Sequence, residues 1–97
     1  MIRIAIVEDE DSYIEQLTGY LQEYRKTANE DFDITVYRDG DAVVASYKAQ
    51  FDIILMDIQM RFVDGMTAAE EIRSQDSEVV IIFITNMTQY AIRGYEV

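Results

Sequence analysis

The stretch FDIILMDIQM, residues 51–60, contains a run of bulky apolar side chains that stops at Asp57. An almost unbroken apolar run of this length is typical of a parallel β-strand that is covered on both faces, so residues 51–57 are predicted to form a buried strand. A buried strand that ends on a carboxylate places that group at the edge of a sheet, where a charged side chain can have a functional role. This stretch therefore predicts both a parallel sheet and a functional group at its edge.

The same type of segment recurs along the chain, in alternation with amphipathic segments. Strands are predicted at residues 2–7, 32–37, 51–57 and 79–85, and helices at 12–27, within 38–50, at 67–74 and at 88–97. Residues 32–37 alternate apolar and polar side chains, which favours an edge strand. Ser12 and Glu15 have the spacing of a capping box at the start of the first helix. Alternating strands and helices indicate right-handed crossovers, and hence a doubly wound parallel α/β sheet in one domain.

Composition narrows the classes of protein to which the chain can belong. Nineteen acidic residues against eight basic ones give a formal charge of −11, which repels nucleic acid and argues against direct DNA or RNA binding. Cysteine and histidine are absent, so a metal would have to be bound through oxygen. No apolar run could span a bilayer and no secretory signal follows Met1, so we expect a cytoplasmic protein that does not bind membranes.

Polar side chains gather where the predicted strands end. Glu8 and Asp9 follow the first strand, Asp57 ends the third and Thr85 ends the fourth. The carboxyl ends of parallel strands share one edge, and close carboxylates repel one another unless a cation lies between them. Mg²⁺ suits a site made only of oxygen atoms. We expect Asp9 and Asp57 to bind Mg²⁺ directly, Glu8 to bind it through water, and the backbone carbonyl of Gln59 to supply a further oxygen.

Such a site would allow phosphoryl chemistry at Asp57. A carboxylate that attacks a phosphoryl group forms an acyl phosphate, and the hydroxyl of Thr85 could donate a hydrogen bond to a phosphoryl oxygen. Each residue taken alone has a structural alternative. Glu8 and Asp9 could be first-turn acids of a helix, Asp57 could cap a turn, and Thr85 could be an ordinary β-branched strand residue. Their convergence at the ends of three strands favours the functional interpretation.

In these segments the chain resembles the receiver domain of two-component response regulators over its whole length. The segments that carry the resemblance are IRIAIVEDE (2–10), FDIILMDIQM (51–60), DGM (64–66) and IIFIT (81–85). The resemblance implies a flavodoxin-like fold with strand order 2-1-3-4. It also implies that Asp57 accepts a phosphoryl group from a histidine kinase with Mg²⁺ as cofactor, and that Thr85 acts as a switch. Self-phosphorylation of this kind does not make the chain an enzyme in the usual sense.

The chain departs from the family pattern in two places. Arg61 stands where receivers usually have a proline, and the 97 residues have no counterpart of the family's fifth strand, its lysine or its fifth helix. The resemblance therefore implies a receiver domain at 1–97 that is truncated at its C-terminal end and lacks its output domain. The segment ITNMTQYAIRGYEV (84–97) is similar to regulators with a LytTR-type DNA-binding output. The uncovered apolar run 79–85 predicts self-association through this strand's edge or the adjoining helix.

Other functions fit parts of the same sequence. The missing lysine and Arg61 favour a non-phosphorylated interaction module with the receiver fold. Two further classes are disfavoured. A phosphate-handling enzyme of the haloacid dehalogenase kind would need an acid where Gln59 stands. A flavin-binding domain would need a phosphate-cradling loop after the first strand, where the acidic segment 8–11 would repel phosphate, so this class is excluded.

The tyrosines suggest two surfaces. Tyr13, Tyr20 and Tyr24 recur at helical spacing and are interpreted as packing in or beside the core, with a kinase docking face as the alternative. Tyr90 and Tyr95 are the better candidates for a partner surface.

Overall fold

The structure, a computed structural model, describes residues 1–58, 60 and 64–84. Its elements are β1 (Ile2–Val7), α1 (Asp11–Ala28), β2 (Phe32–Tyr37), α2 (Gly40–Ala45), β3 (Ile53–Asp57), α3 (Gly65–Gln75) and β4 (Val80–Ile84). The four strands pair in parallel in the order β2-β1-β3-β4, which confirms the predicted doubly wound α/β fold. The helix predicted at 88–97 lies outside the described residues.

The centre of the sheet is apolar on both faces because helices lie on both sides of it. Ala5 and Val7 of β1 belong to one buried cluster together with Val43 of α2 and Ile72 of α3. Ile6 alternates with these β1 residues, so it points to the opposite face, where it is also fully buried. Right-handed crossovers place α1 on that opposite face, because β2 and β3 lie on either side of β1. The central strand β1 is therefore covered on both faces, whereas Leu55 of β3, which pairs with Ile6, is half-buried.

The predicted capping box at the start of α1 is wrong. The helix begins at Asp11, its N-cap is Glu10, and the side chain of this N-cap makes no capping hydrogen bond. The carboxylate of Glu8 instead accepts a hydrogen bond of 3.1 Å from the backbone N–H of Glu10. This bond turns the chain directly after β1, so the backbone of Ser12 is already helical.

The other two helices begin at side-chain caps. Asp39 caps α2 by accepting a 2.8 Å hydrogen bond from the backbone N–H of Ala42. Asp64 caps α3 by accepting a bond of the same length from the N–H of Thr67. The helix predicted to start at residue 67 therefore starts at Gly65.

The interpretation of Tyr13, Tyr20 and Tyr24 as packing inside the core is wrong, although the ring of Tyr24 stacks on that of Phe32 in β2, beside the core. Their side chains are 40%, 61% and 61% exposed. The half-buried stripe of α1 consists of Ile14, Leu17, Thr18 and Leu21. Because this stripe is the least exposed side of α1, the aromatic rings outside it lie toward solvent.

The β4 strand leaves part of its apolar surface open. Ile81 and Phe83 pack against the core, whereas Val80 and Ile82 on the other face are 51% and 45% exposed. The predicted self-association through β4 is not tested by this exposure and stays a prediction. Within the described ranges, no helix is long and apolar enough to cross a membrane.

Candidate metal centre

The pairing of β1 with β3 brings the predicted acids together. Val7, the last residue of β1, lies opposite Met56, so the residues that follow these two lie at the same edge of the sheet. Those residues are Glu8 and Asp57, and Asp9 follows Glu8. On its other side, Asp57 pairs with Ile84 of β4. The site is therefore built by strand register and not by a local sequence motif.

One carboxylate oxygen from each of Glu8, Asp9 and Asp57 lies within 4.8 Å of the other two. Glu8 is only 4% exposed and Asp57 only 8%, whereas Asp9 is half-buried. The structure thus brings three of the predicted site residues into one cluster. The other two, Gln59 and Thr85, lie outside the described residues, as does Arg61.

The electrostatics of the cluster favour a bound cation or a bound proton. The pKa of Glu8 is raised from its ordinary 4.5 to about 7, mainly by burial and to a smaller extent by the charges of Asp57 and Asp9. The hydrogen bond from the N–H of Glu10 acts in the opposite direction and lowers this pKa. Oxygen ligands of this kind, close together and partly shielded from water, are suited to a hard divalent cation.

A backbone hydrogen bond and an ion pair connect the acidic segment 8–11 to the end of β2. The backbone N–H of Glu8 donates a 2.9 Å bond to the carbonyl of Tyr37 at the end of β2, which ties the first acidic loop to the sheet. Arg38, the next residue, forms an ion pair with Asp11. This pair neutralises the last acid of the segment 8–11 and joins the start of α1 to the end of β2. Both side chains are exposed, so the pair adds little stability.

Two residues beside the site were missed by sequence reasoning. The position of Arg38 could have been predicted, because this residue directly follows the predicted strand 32–37 and parallel strands end at the same edge as the acids. Gly65, which lies in the segment DGM after the predicted third strand, is the first residue of α3. Its backbone N–H donates a 2.8 Å bond to the carbonyl of Ile58, one residue past Asp57. The sequence signal for Gly65 is its position, since it is a glycine between the end of a predicted strand and the start of a predicted helix.

The arrangement offers two chemical functions. Three carboxylates can bind a divalent cation through oxygen, and Asp57, at the strand end, can act as a nucleophile once the surrounding negative charge is offset. Three carboxylates so close together concentrate negative charge at this end of the sheet. The local excess of negative charge is consistent with a site that needs a cation.

Comparison with known proteins identifies relatives of the chain. The family described as response regulator receiver domain matches residues 4–97. The transcriptional regulatory protein RprY of Bacteroides fragilis is 32% identical over 88 residues, which are 90% of this chain and 35% of that protein. CssR of Bacillus subtilis, also named a transcriptional regulatory protein, is 34% identical over 82 residues, or 84% of this chain and 34% of that protein. The chain thus spans about a third of the length of these relatives.

Solved structures show the same architecture. The response regulator protein TrrA from Thermotoga maritima, in complex with Mg(2+)-BeF, is similar with a TM-score of 0.80 and 28% identity over 93% of this chain and 74% of that chain. A complex of the histidine kinase ThkA with TrrA gives a TM-score of 0.72 and 30% identity, over 89% of this chain and 70% of that one.

Proposed function

Because the chain belongs to the response regulator receiver domain family, we propose that Asp57 accepts a phosphoryl group from a histidine kinase in a Mg²⁺-dependent reaction. The observation that carries this proposal is the convergence of Glu8, Asp9 and Asp57, with carboxylate oxygens within 4.8 Å of one another at the end of a parallel sheet. Asp57 is the last residue of the central strand β3.

Glu8, Asp9 and Asp57 would hold the Mg²⁺ ion, together with the backbone carbonyl of Gln59. The donor set fits the ion, since all the groups are oxygen and the pKa of Glu8 is raised in a way that a cation would reverse. The solved structure of TrrA with Mg(2+)-BeF supports the same ion here. When bound, Mg²⁺ would offset the negative charge of the carboxylates and of the transferred phosphoryl group.

In the proposed reaction, a carboxylate oxygen of Asp57 attacks the phosphorus of a phosphohistidine. A phosphorus–oxygen bond forms, the phosphorus–nitrogen bond breaks, and the imidazole leaves with the electron pair and takes up a proton. The product is an acyl phosphate on Asp57. The reaction needs mainly alignment, which a buried carboxylate at a strand end can provide, and charge neutralisation, which a bound cation would supply. We include Thr85 in the proposal, as a hydroxyl donor to a phosphoryl oxygen and as a switch.

The partners follow from the relatives. The complex of ThkA with TrrA supports a histidine kinase as the phosphoryl donor. RprY and CssR are named transcriptional regulatory proteins, and the segments that match this chain make up only about a third of each. We therefore propose that residues 1–97 serve as the receiver part of a transcriptional regulator whose DNA-binding output lies outside them.

Intact mass spectrometry tests the proposal directly. The chain is incubated with Mg²⁺ and acetyl phosphate, alongside Asp57→Ala and Asp31→Ala. Asp31 is a matched control, because it is an exposed aspartate that precedes β2 and so lies at the opposite edge of the sheet. We expect one added phosphoryl mass in the wild type and in Asp31→Ala, and none in Asp57→Ala or with EDTA. An unmodified wild type would contradict the proposal and favour the non-phosphorylated interaction module.

A further inference from the structure

Gly65 lies directly against the backbone that carries Asp57. It is buried as the first residue of α3, after the cap residue Asp64. Its N–H donates a 2.8 Å hydrogen bond to the carbonyl of Ile58, which closes the loop between β3 and α3. The helix therefore starts against the end of the strand, with no side chain between them.

No side chain fits at this position. A Cβ atom built on Gly65 would lie 2.1 Å from the carbonyl oxygen of Asp57, and 2.9 Å from both its carbonyl carbon and the Cα of Ile58. All three atoms belong to the backbone, so no rotamer change could relieve the contact. Gly19 in α1 offers the opposite case, since a Cβ there would meet no atom within 4 Å.

The strand end has little freedom to move away from such a contact. Asp57 pairs with Ile84 of β4, and the preceding residue, Met56, pairs with Val7 of β1. A displacement of the Asp57 backbone would therefore shift its carboxylate relative to those of Glu8 and Asp9, which come from β1 and the loop after it. The position of the start of α3 therefore affects the positions of the three carboxylates, because α3 begins against the backbone carbonyl of Asp57.

We propose that Gly65 is a positioning residue for Asp57. The absence of a side chain at residue 65 lets α3 pack on the Asp57 carbonyl and so fixes where the carboxylate sits among Glu8 and Asp9. This inference rests on the proposed function of Asp57. A glycine that only served to start a helix would affect stability on substitution but would leave the metal and phosphoryl chemistry of the folded chain unchanged.

Three variants separate positioning from stability. Gly65→Ala introduces the contact with Asp57. Asp64→Ala removes the cap of α3 and weakens the same helix end without adding an atom at residue 65. Gly19→Ala makes the same substitution where there is free space. For each variant we would measure the melting temperature, the Mg²⁺ affinity by calorimetry, and the initial rate of modification by acetyl phosphate.

We expect Gly65→Ala to lose about 100-fold in modification rate, as for a misplacement of about 1 Å at a reacting group. Its Mg²⁺ affinity should fall by about 10-fold or more, as for loss of a group that orients a ligand. Asp64→Ala should lower the melting temperature but keep the Mg²⁺ affinity and rate of the wild type. Gly19→Ala should match the wild type in Mg²⁺ affinity and in modification rate.

Three outcomes would overturn the inference. A folded Gly65→Ala chain with wild-type Mg²⁺ affinity and rate would show that the contact is absorbed elsewhere. An Asp64→Ala chain that loses as much as Gly65→Ala would show that helix stability alone is responsible. If Gly65→Ala does not fold even at low temperature in a stabilising osmolyte, residue 65 serves the fold and not the site. A wild type that neither binds Mg²⁺ nor reacts would instead refute the proposed function, on which the inference depends.

Discussion

Glu8 and Asp57 face one another at the ends of neighbouring parallel strands, and this proximity adds to burial in raising the pKa of Glu8 to about 7. Two carboxylates so placed cannot both be ionised at low cost without a cation. The pair therefore binds a proton in the metal-free chain near neutral pH, and a cation would displace that proton. Stability, protonation and metal binding are linked through this one contact.

The metal-free chain should become less stable as the pH rises. Glu8 has an ordinary pKa of 4.5 and a folded-state pKa of about 7, so between these values the folded chain binds more protons than the unfolded chain. The free energy of unfolding should then fall by about 2 kcal/mol between pH 5 and pH 8. Urea unfolding in the presence of EDTA, at pH 5 and at pH 8, measures this change in the free energy of unfolding. Glu8→Gln should remove most of the change.

Two other carboxyl groups with shifted pKa values do not obscure this trend. Asp52 and Asp76 have pKa values below their ordinary 3.8, because of hydrogen bonds from Arg3 and Tyr47 respectively, so they titrate at more acidic pH. A metal-free stability that stays level or rises between pH 5 and pH 8 would contradict the assignment to Glu8.

Mg²⁺ should stabilise the folded chain. An ion that binds only the folded state adds about 2.7 kcal/mol to the free energy of unfolding at 100 times its dissociation constant. Thermal unfolding with increasing Mg²⁺ should show this as a rising melting temperature, and Asp9→Asn should largely abolish it. The control Asp31→Asn, at the opposite edge of the sheet, should respond like the wild type. Equal responses in Asp9→Asn and Asp31→Asn would argue against a specific site.

The phenol of Tyr47 should contribute to stability far from the site. Its hydroxyl donates a 2.5 Å hydrogen bond to the carboxylate of Asp76, while the ring is only 8% exposed and belongs to the core. Tyr47→Phe should lower the free energy of unfolding by about 1 kcal/mol. Tyr24→Phe, at a ring that is 61% exposed, should change it by less than about 0.5 kcal/mol. Urea unfolding compares the two, and equal effects would contradict the proposed role of this hydrogen bond.

Ala49 is a position where glycine should improve the chain. Its φ of +54° lies in the left-handed region, which costs a residue with a Cβ about 1 kcal/mol or more. Ala49→Gly should therefore raise the free energy of unfolding by about 0.5 kcal/mol, because relief of strain exceeds the added flexibility of the unfolded chain. Ala45→Gly, at the end of α2, should destabilise by a comparable amount. Melting temperatures that shift in the same direction for both variants would refute this expectation.

The sequence by itself determined the order of elements and the edge at which the acids meet. The apolar runs at 2–7 and 51–57 predict buried parallel strands, because a strand that is covered on both faces has a nearly continuous run of apolar side chains. Once the strands are parallel, the residues that follow them must share one edge, so Glu8, Asp9 and Asp57 could be placed together from their positions in the chain.

Only the tertiary structure decided the features that depend on distances between remote segments. The exposure of Tyr20 and Tyr24 depends on which stripe of α1 faces the sheet, and a helical repeat of aromatic rings does not specify this. The pKa of Glu8 depends on its burial and on its distance to Asp57, and the contact of Gly65 depends on where α3 begins. Periodicity fixes which residues can share a surface, whereas packing between elements sets their separations, and chemistry at a site depends on those separations.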